Sequence, residues 1–282
     1  MSEPVVIRAS SLSSYADCPR RAAARLFKDD VLAAGFALRE LPNGIGAAVG
    51  TAVHRAAAVM LDEKARTGVL PPADIATDAA IDSLREAAAG GMTYDRESPG
   101  LNDAEQQSAR MVRAYRSAVA PDIQPLIVEE RIEAEVTPTL TLSGQADVIA
   151  REPGRVIDLK TGKRLGNHNG QIGAYSLLAR SIGLEVKEAT IDFIQRVPVK
   201  KPQPDPVRQR HDILQVETAA ANILRTMEAD LRTFREGDFS RRLSPGDPWS
   251  FLANPSSKLC SARWCPAHGT EFCHEHAKEE EE

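Results

Sequence analysis

The segment Ser143 to Lys163, S-G-Q-A-D-V-I-A-R-E-P-G-R-V-I-D-L-K-T-G-K, holds the residues best equipped for chemistry in this chain. Pro153-Gly154 is a turn signal between two runs rich in β-branched residues, so two strands joined there bring Asp147 and Asp158 into one neighbourhood. Along Val156-Ile157-Asp158-Leu159-Lys160 the side chains alternate. Asp158 and Lys160 then share one face, while Ile157 and Leu159 turn toward a core. Two carboxylates and an ammonium on one face are electrostatically costly unless a cation shares the site. Asp147 and Asp158, with the carbonyl of Leu159 as a further candidate, offer hard oxygen ligands suited to Mg2+ or Mn2+. Such an ion would polarise a phosphodiester and lower the pKa of an attacking water. Lys160 would orient that water or offset charge building on the phosphate. Taken alone, the D-x-K triplet reads first as an Asp–Lys pair on a solvent-facing strand, which is common.

The four cysteines form a second constellation. Cys18 stands alone in Y-A-D-C-P-R-R, and Cys260, Cys265 and Cys273 cluster near the other end, separated by four and seven residues. Buried free cysteine packs as a small hydrophobe. The polar, Pro- and Gly-containing surroundings of the last three bury little apolar area and need another anchor. Four thiolates suit a [4Fe–4S] cluster and suit tetrahedral zinc equally well, with His268, His274 and His276 close enough to compete as zinc ligands.

Around these groups, Val5 to Arg8 reads as a short strand leading into a serine-capped helix that carries Tyr15, Cys18 and the arginines after it. Residues 47–66 read as a helix with Val49, Ala52, Val53, Ala56 and Met60 on one stripe, and 73–90 and 103–119 as two more. Strands are expected at 126–136, 140–150, 155–159 and 189–196, with helices at 168–182 and 213–236. The last forty residues read as irregular. No apolar run approaches the ~18 residues of a membrane helix, no signal-peptide core precedes residue 30, and the expected location is the cytoplasm. The net charge of −5 is uneven: Lys278 to Glu282 holds four Glu and one Lys, whereas Gln195 to Arg210 holds five basic residues against Asp205. That basic stretch fits a solvated loop or a nucleic-acid contact equally.

G-x-x-D (Gly144 to Asp147) followed after eight residues by V-I-D-L-K-T-G-K (Val156 to Lys163) resembles the signature of the RecB-like PD-(D/E)xK nucleases. Upstream, G-T-A-V-H (Gly50 to His54) resembles that family's G-x-x-x-H helix, and downstream Q-I-G-A-Y (Gln171 to Tyr175) resembles its Q-x-x-x-Y helix. By itself His54 reads as a buried helix histidine, and Gln171 with Tyr175 as an i,i+4 pair at a core edge. The resemblance implies that His54, Asp147 and Asp158 bind the divalent ion, that Lys160 acts on water or phosphate, and that Gln171 and Tyr175 support the site. Glu129 and Glu130, in the first of the longer strands, are available for a ligand or water contact and receive no role. One N-terminal and three C-terminal cysteines resemble the family's iron–sulfur staple, found in its CRISPR-associated, AddAB-type and phage exonuclease members. On that resemblance Cys18, Cys260, Cys265 and Cys273 hold a [4Fe–4S] cluster, with Zn2+ as the alternative.

The implied architecture is α/β: a restriction-endonuclease-like mixed central sheet flanked by helices, with a helical N-terminal region and a cysteine-clamped C-terminus. It forms one nuclease domain over 1–282, helical to about 122, with a sheet core at about 123–237 and a cysteine-rich segment from about 238. The implied activity is exonucleolytic hydrolysis of DNA, on single strands or duplex ends, in recombination, repair or phage DNA metabolism. A phage-encoded protein would work in its bacterial host's cytoplasm. Arg20, Arg21, Lys163 and Arg164 are the candidate phosphate contacts, and Tyr175 or Trp264 a base-stacking partner, although Trp264 could equally shield the cluster. No G-x-x-x-x-G-K-[ST] P-loop occurs, so a helicase or recombination protein would be a separate partner. The competing reading is a non-catalytic iron–sulfur or zinc DNA-binding module with the same fold.

Overall fold

The computed structural model describes residues 4–273, so His274, His276 and the acidic tail lie outside the described residues. In chain order the elements are β1 (Val5–Arg8), α1 (Leu12–Asp17), α2 (Pro19–Leu26), α3 (Lys28–Ala33), α4 (Ile45–Thr67), α5 (Ala73–Ala89) and α6 (Leu101–Ala118). Then come β2 (Pro125–Val128), β3 (Arg131–Thr137), β4 (Leu140–Gln145), β5 (Val148–Ala150), β6 (Arg155–Gly162), α7 (Asn169–Ser181), β7 (Glu188–Gln195), β8 (Val207–His211) and α8 (Ile213–Glu236). No helix among the described residues is long and apolar enough to cross a membrane.

The helices follow their apolar periodicity. Val49, Ala52, Val53, Ala56 and Met60 of α4 are all buried, and the helix ends on Gly68 in the left-handed region. At the start of α8 the Asp212 side chain accepts a hydrogen bond from the Gln215 amide at 2.8 Å. Cys18, in extended backbone, separates α1 from α2, where one helix had been expected.

The strands form two sheets. Five run in the order β2-β5-β6-β7-β8, mixed in direction, with β6 and β7 parallel across the α7 crossover. Three more run β1-β4-β3, with β1 parallel to β4. The expected strand 126–136 is broken at Glu129-Glu130, and 140–150 at Ala146-Asp147, so each expected strand leaves one sheet and enters the other. The two breaks lie side by side, for the Glu129 amide donates to the Asp147 carbonyl at 3.3 Å. β8 lies inside the stretch read as basic loop.

Helices cover both faces of the five-stranded sheet. Ile157, Leu159, Val148 and Ile194 pack with α4, α5 and α6 in one core, while Val156, Ile149 and Ala189 pack with α7, α8 and the N-terminal helices in the other. A strand covered on both faces is buried along its length, as β6 is from Arg155 to Leu159. That carboxylate is therefore buried, 2% exposed, on the α7 side.

Candidate active site

The two strand breaks, the middle of α4 and the C-terminal half of β6 meet at an open cleft of about 540 Å3, lined by Gly46, Gly50, His54, Arg55, Glu129 and Lys160 among others. His54 Nδ1 lies 2.7 Å from Asp147 Oδ1. The other Asp147 oxygen accepts the Leu159 amide at 2.5 Å, which ties the strand break to β6. Glu129, at φ 45, stands in a backbone conformation that side-chain-bearing residues seldom adopt, and Gln145 donates to its carboxylate at 3.2 Å. Among the described residues, His54, Glu129 and Asp147 are the group whose donor atoms all lie within 4.8 Å of one another.

Asp158 and Lys160 share a face, as the alternation predicts. Lys160 Nζ is 2.7 Å from one Asp158 oxygen and 3.0 Å from the other. Gln171 Nε2 donates to Asp158 at 3.3 Å and to the Tyr175 hydroxyl at 2.9 Å, so the i,i+4 pair supports the carboxylate from behind. Asp158 is not one of the three clustered donors. Glu129 joins His54 and Asp147 in the close grouping, and Asp158, paired with Lys160, stands beside it. Glu129 was named in the sequence as available for a ligand or water contact but given no role, because nothing local marks the strand break that turns it toward His54 and Asp147. Arg55, one residue past His54 and exposed on the cleft wall, was also missed.

Electrostatics give these groups unequal protonation. Burial pushes the Asp158 carboxyl up to about 6, with Asp147 adding to the rise and Lys160 opposing it. Burial, reinforced by the charge of Asp147, also raises Glu129. For Asp147 burial acts upward, but the charge and hydrogen bond of His54 and the charge of Lys160 outweigh it and leave the carboxyl low. His54 is the mirror image: burial acts downward, and Asp147 raises it. Carboxylates crowded into a buried site and held above their ordinary range are those that a divalent cation would relieve. The donor set is all oxygen and imidazole nitrogen, which fits Mg2+ or Mn2+.

At the end of β6, Lys163 is shared between Glu97 and, at 3.6 Å, Asp95. Arg196, 4% exposed, donates to Asp95 and to Ser98, which pins the 90–100 loop against the ends of β6 and β7. Burial acts to raise the Asp95 carboxyl, but the hydrogen bonds and charge of Arg196 hold it down at about 2. The folded value lies below the ordinary 3.8, so the stabilisation is complete above that pH and disappears as pH falls toward about 2. About 2 kcal/mol is expected to be lost across this window. Urea unfolding at stepped pH checks it, and Asp95→Asn should flatten that part of the curve.

The four cysteines line one small enclosed cavity together with Arg21 and His268, and none is in a disulfide. The Asn254 amide points at Cys18 Sγ, 3.4 Å away. Two DNA contacts expected from sequence are corrected here. Arg20 and Arg21 are 2% and 3% exposed: Arg20 donates to the Phe251 carbonyl, and Arg21 to Ser257 and Asp17. The C-terminal segment folds over them and leaves no access for a phosphate. Trp264 is partly exposed, with Arg263 stacked 4.9 Å from its ring.

The model of the PD-(D/E)XK nuclease superfamily matches residues 7–270. Among curated proteins none matches significantly. A crystal structure from Eubacterium rectale, named as an exonuclease, superposes with a TM-score of 0.56 at 12% identity, covering 83% of each chain, and so shares the fold. An alkaline exonuclease from Laribacter hongkongensis aligns at 12% identity over 64% of this chain and 89% of its own, with a TM-score of 0.30. A phage-related exonuclease from Haemophilus somnus aligns at 13% over 67% and 94%, with a TM-score of 0.25; neither overlap is close enough to bear on the site. With the family model spanning nearly all of the described residues, and the motif side chains gathered in one cleft, this chain belongs to the PD-(D/E)XK nuclease superfamily.

Proposed function

We propose that the protein is a divalent-metal-dependent DNA exonuclease acting on single strands or duplex ends, in recombination, repair or phage DNA metabolism. The observation that carries this reading is the meeting of His54, Glu129 and Asp147 within 4.8 Å, beside the Asp158–Lys160 pair. His54, Glu129 and Asp147 would hold the ion, with Asp158 and the Leu159 carbonyl as further oxygens. When bound, Mg2+ or Mn2+ supplies a Lewis acid for the phosphate and a lowered pKa for water. Lys160 places its ammonium at the cleft wall, where it offsets charge gathering on the scissile phosphate. Gln171 holds Asp158 in its rotamer, and Tyr175 holds Gln171. Arg55, exposed on the same wall, and Arg164, exposed just beyond β6, would meet the DNA backbone, whereas Lys163 would first have to leave Asp95 and Glu97.

End-labelled single-stranded DNA tests the reading. With Mn2+ or Mg2+ the protein is expected to release nucleotides from the end and to spare a closed single-stranded circle. EDTA should stop the reaction, and fresh metal should restore it. Cutting of the circle would overturn the exonuclease assignment, and undiminished cleavage in EDTA the metal dependence. A protein that binds DNA but never cuts it would return the non-catalytic reading.

We also assign a [4Fe–4S] cluster to the cysteine cavity. The four thiols line one small cavity, and the choice of a cluster over zinc rests on the resemblance of one N-terminal and three C-terminal cysteines to the family's iron–sulfur staple. Clamping Cys18 to Cys260 closes a loop of about 240 residues, the kind of cross-link that restricts an unfolded chain strongly. Visible absorbance and iron content of anaerobically purified protein decide between cluster and zinc.

A further inference from the structure

The segment that covers the cysteine cavity also buries two arginines, and among the described residues neither has a buried carboxylate in hydrogen-bond contact. Arginine is almost never fully buried unless it is paired. Arg21 has one carboxylate, Asp17 at 2.7 Å, and that group is 40% exposed. Arg20 donates its Nε to the Phe251 carbonyl at 3.0 Å and lies 5.0 Å from the Trp249 ring centre. Neither contact carries a negative charge, and the nearby Asp247 carboxylate acts on it only weakly, behind Cys273 and Cys18. Its Nη2 is buried and meets no hydrogen-bond acceptor. A buried cation with little anionic contact and an unmet buried donor are each expensive, so the sulfurs that Arg20 faces would serve it best as anions.

The groups on that side are thiols. Arg21 is part of the cavity wall that Cys18, Cys260, Cys265 and Cys273 form, and the Arg20 guanidinium faces Cys273 and Cys18. The Asn254 amide brings a third N–H to bear on the same sulfurs. A neutral thiol is a weak acceptor and carries no charge, so it answers neither demand. Four thiolates around an iron–sulfur core or a zinc ion form a net anion in either case, with sulfur lone pairs open to N–H donors.

We propose that Arg20 and Arg21 are buried counter-cations of a metal–tetrathiolate group, balancing its charge and donating hydrogen bonds to its sulfurs. This rests on the assignment of a metal group to the cavity but not on which metal it is. Each arginine is a positioning and tuning residue that acts through the group it faces. The cysteine-rich segment and α2 are then held together by charge as well as by coordination. The same two residues would be unavailable to DNA whatever the substrate.

The test uses full-length protein purified anaerobically as wild type, Arg20→Met, Arg21→Met, Arg20→Lys and Asp17→Asn. For an iron–sulfur protein the reading is the midpoint potential, together with the rate of iron release to a chelator. Both methionine variants should shift the potential negative and release metal roughly tenfold faster or more. Arg20→Lys should recover most of the potential. Asp17→Asn, which removes an anion at an exposed position, should shift the potential positive and so gives a reading even if the methionine variants fail to fold. Potentials and release rates equal to wild type in the folded variants would overturn the proposal while leaving the cluster in place. If wild type holds zinc, the cluster assignment falls, and faster zinc release from Arg20→Met supports the counter-cation role while equal release refutes it. Metal-free wild-type protein with four freely reactive thiols would defeat both.

Discussion

Asp158→Asn is expected to lower the rate of DNA cleavage by about a thousandfold or more. In metal-free buffer near pH 8 it should leave the fold as stable as wild type, or more so. The two halves of this result come from one cause. Asp158 is 2% exposed, and burial raises its carboxyl to about 6, which makes the ionised form a strain on the folded state above that pH. The strain is useful only if the negative charge is needed, whether to meet a cation or to hold Lys160 at 2.7 Å. Asparagine keeps the volume and an acceptor for Gln171, so packing survives while the charge goes. Initial rates on labelled DNA, paired with thermal melts, make the comparison. A variant that cleaves at close to the wild-type rate would remove Asp158 from the mechanism. One that is inactive only because it has unfolded would point instead to a structural carboxylate.

The second large effect is expected at a residue with no chemistry. Gly173 lies inside α7, two residues from Gln171 and from Tyr175, and a Cβ there would sit 1.9 Å from the Val216 carbonyl oxygen of α8. Helix propensity alone favours alanine over glycine by ~1 kcal/mol. Contact at this distance with backbone, which cannot swing aside, reverses the sign, and Gly173→Ala should cost about 3 kcal/mol or more. The urea midpoint should fall accordingly. Because the two helices must part, Gln171, with Tyr175 behind it, moves off Asp158, and activity should fall even at temperatures where the variant remains folded. Gly44→Ala, which meets nothing within 4 Å, is the control and should change stability by less than about 1 kcal/mol. Equal midpoints for the two variants would show that α7 and α8 do not approach as closely as described.

The side chains on regular elements were legible without a fold. The period-two alternation of β6 places Asp158 with Lys160, and the i,i+4 spacing of α7 places Gln171 with Tyr175, because both are local geometries. The apolar stripe of α4 was readable for the same reason. The meeting of Glu129 with His54 and Asp147 was not, since it depends on where one strand abandons the five-stranded sheet for the three-stranded one, and that is settled by pairing partners distant in sequence. Arg20 and Arg21 were misread because charge alone predicts exposure, and only the cover supplied by Phe251 and Ser257, more than two hundred residues later, reverses it.

The sequence by itself therefore determined which chemical groups are present and which of them share an element: two aspartates, a lysine and a histidine in motif order, and four cysteines at the two ends. Tertiary structure decided which of these groups meet. Strand breaks draw Glu129 and Asp147 to His54, the close passage of α8 requires a glycine at 173, and the cysteine-rich segment folds over α2. The physical reason is that alternation and helical period act over a few residues, whereas burial, charge pairing and close approach are set by surfaces brought together from the whole chain.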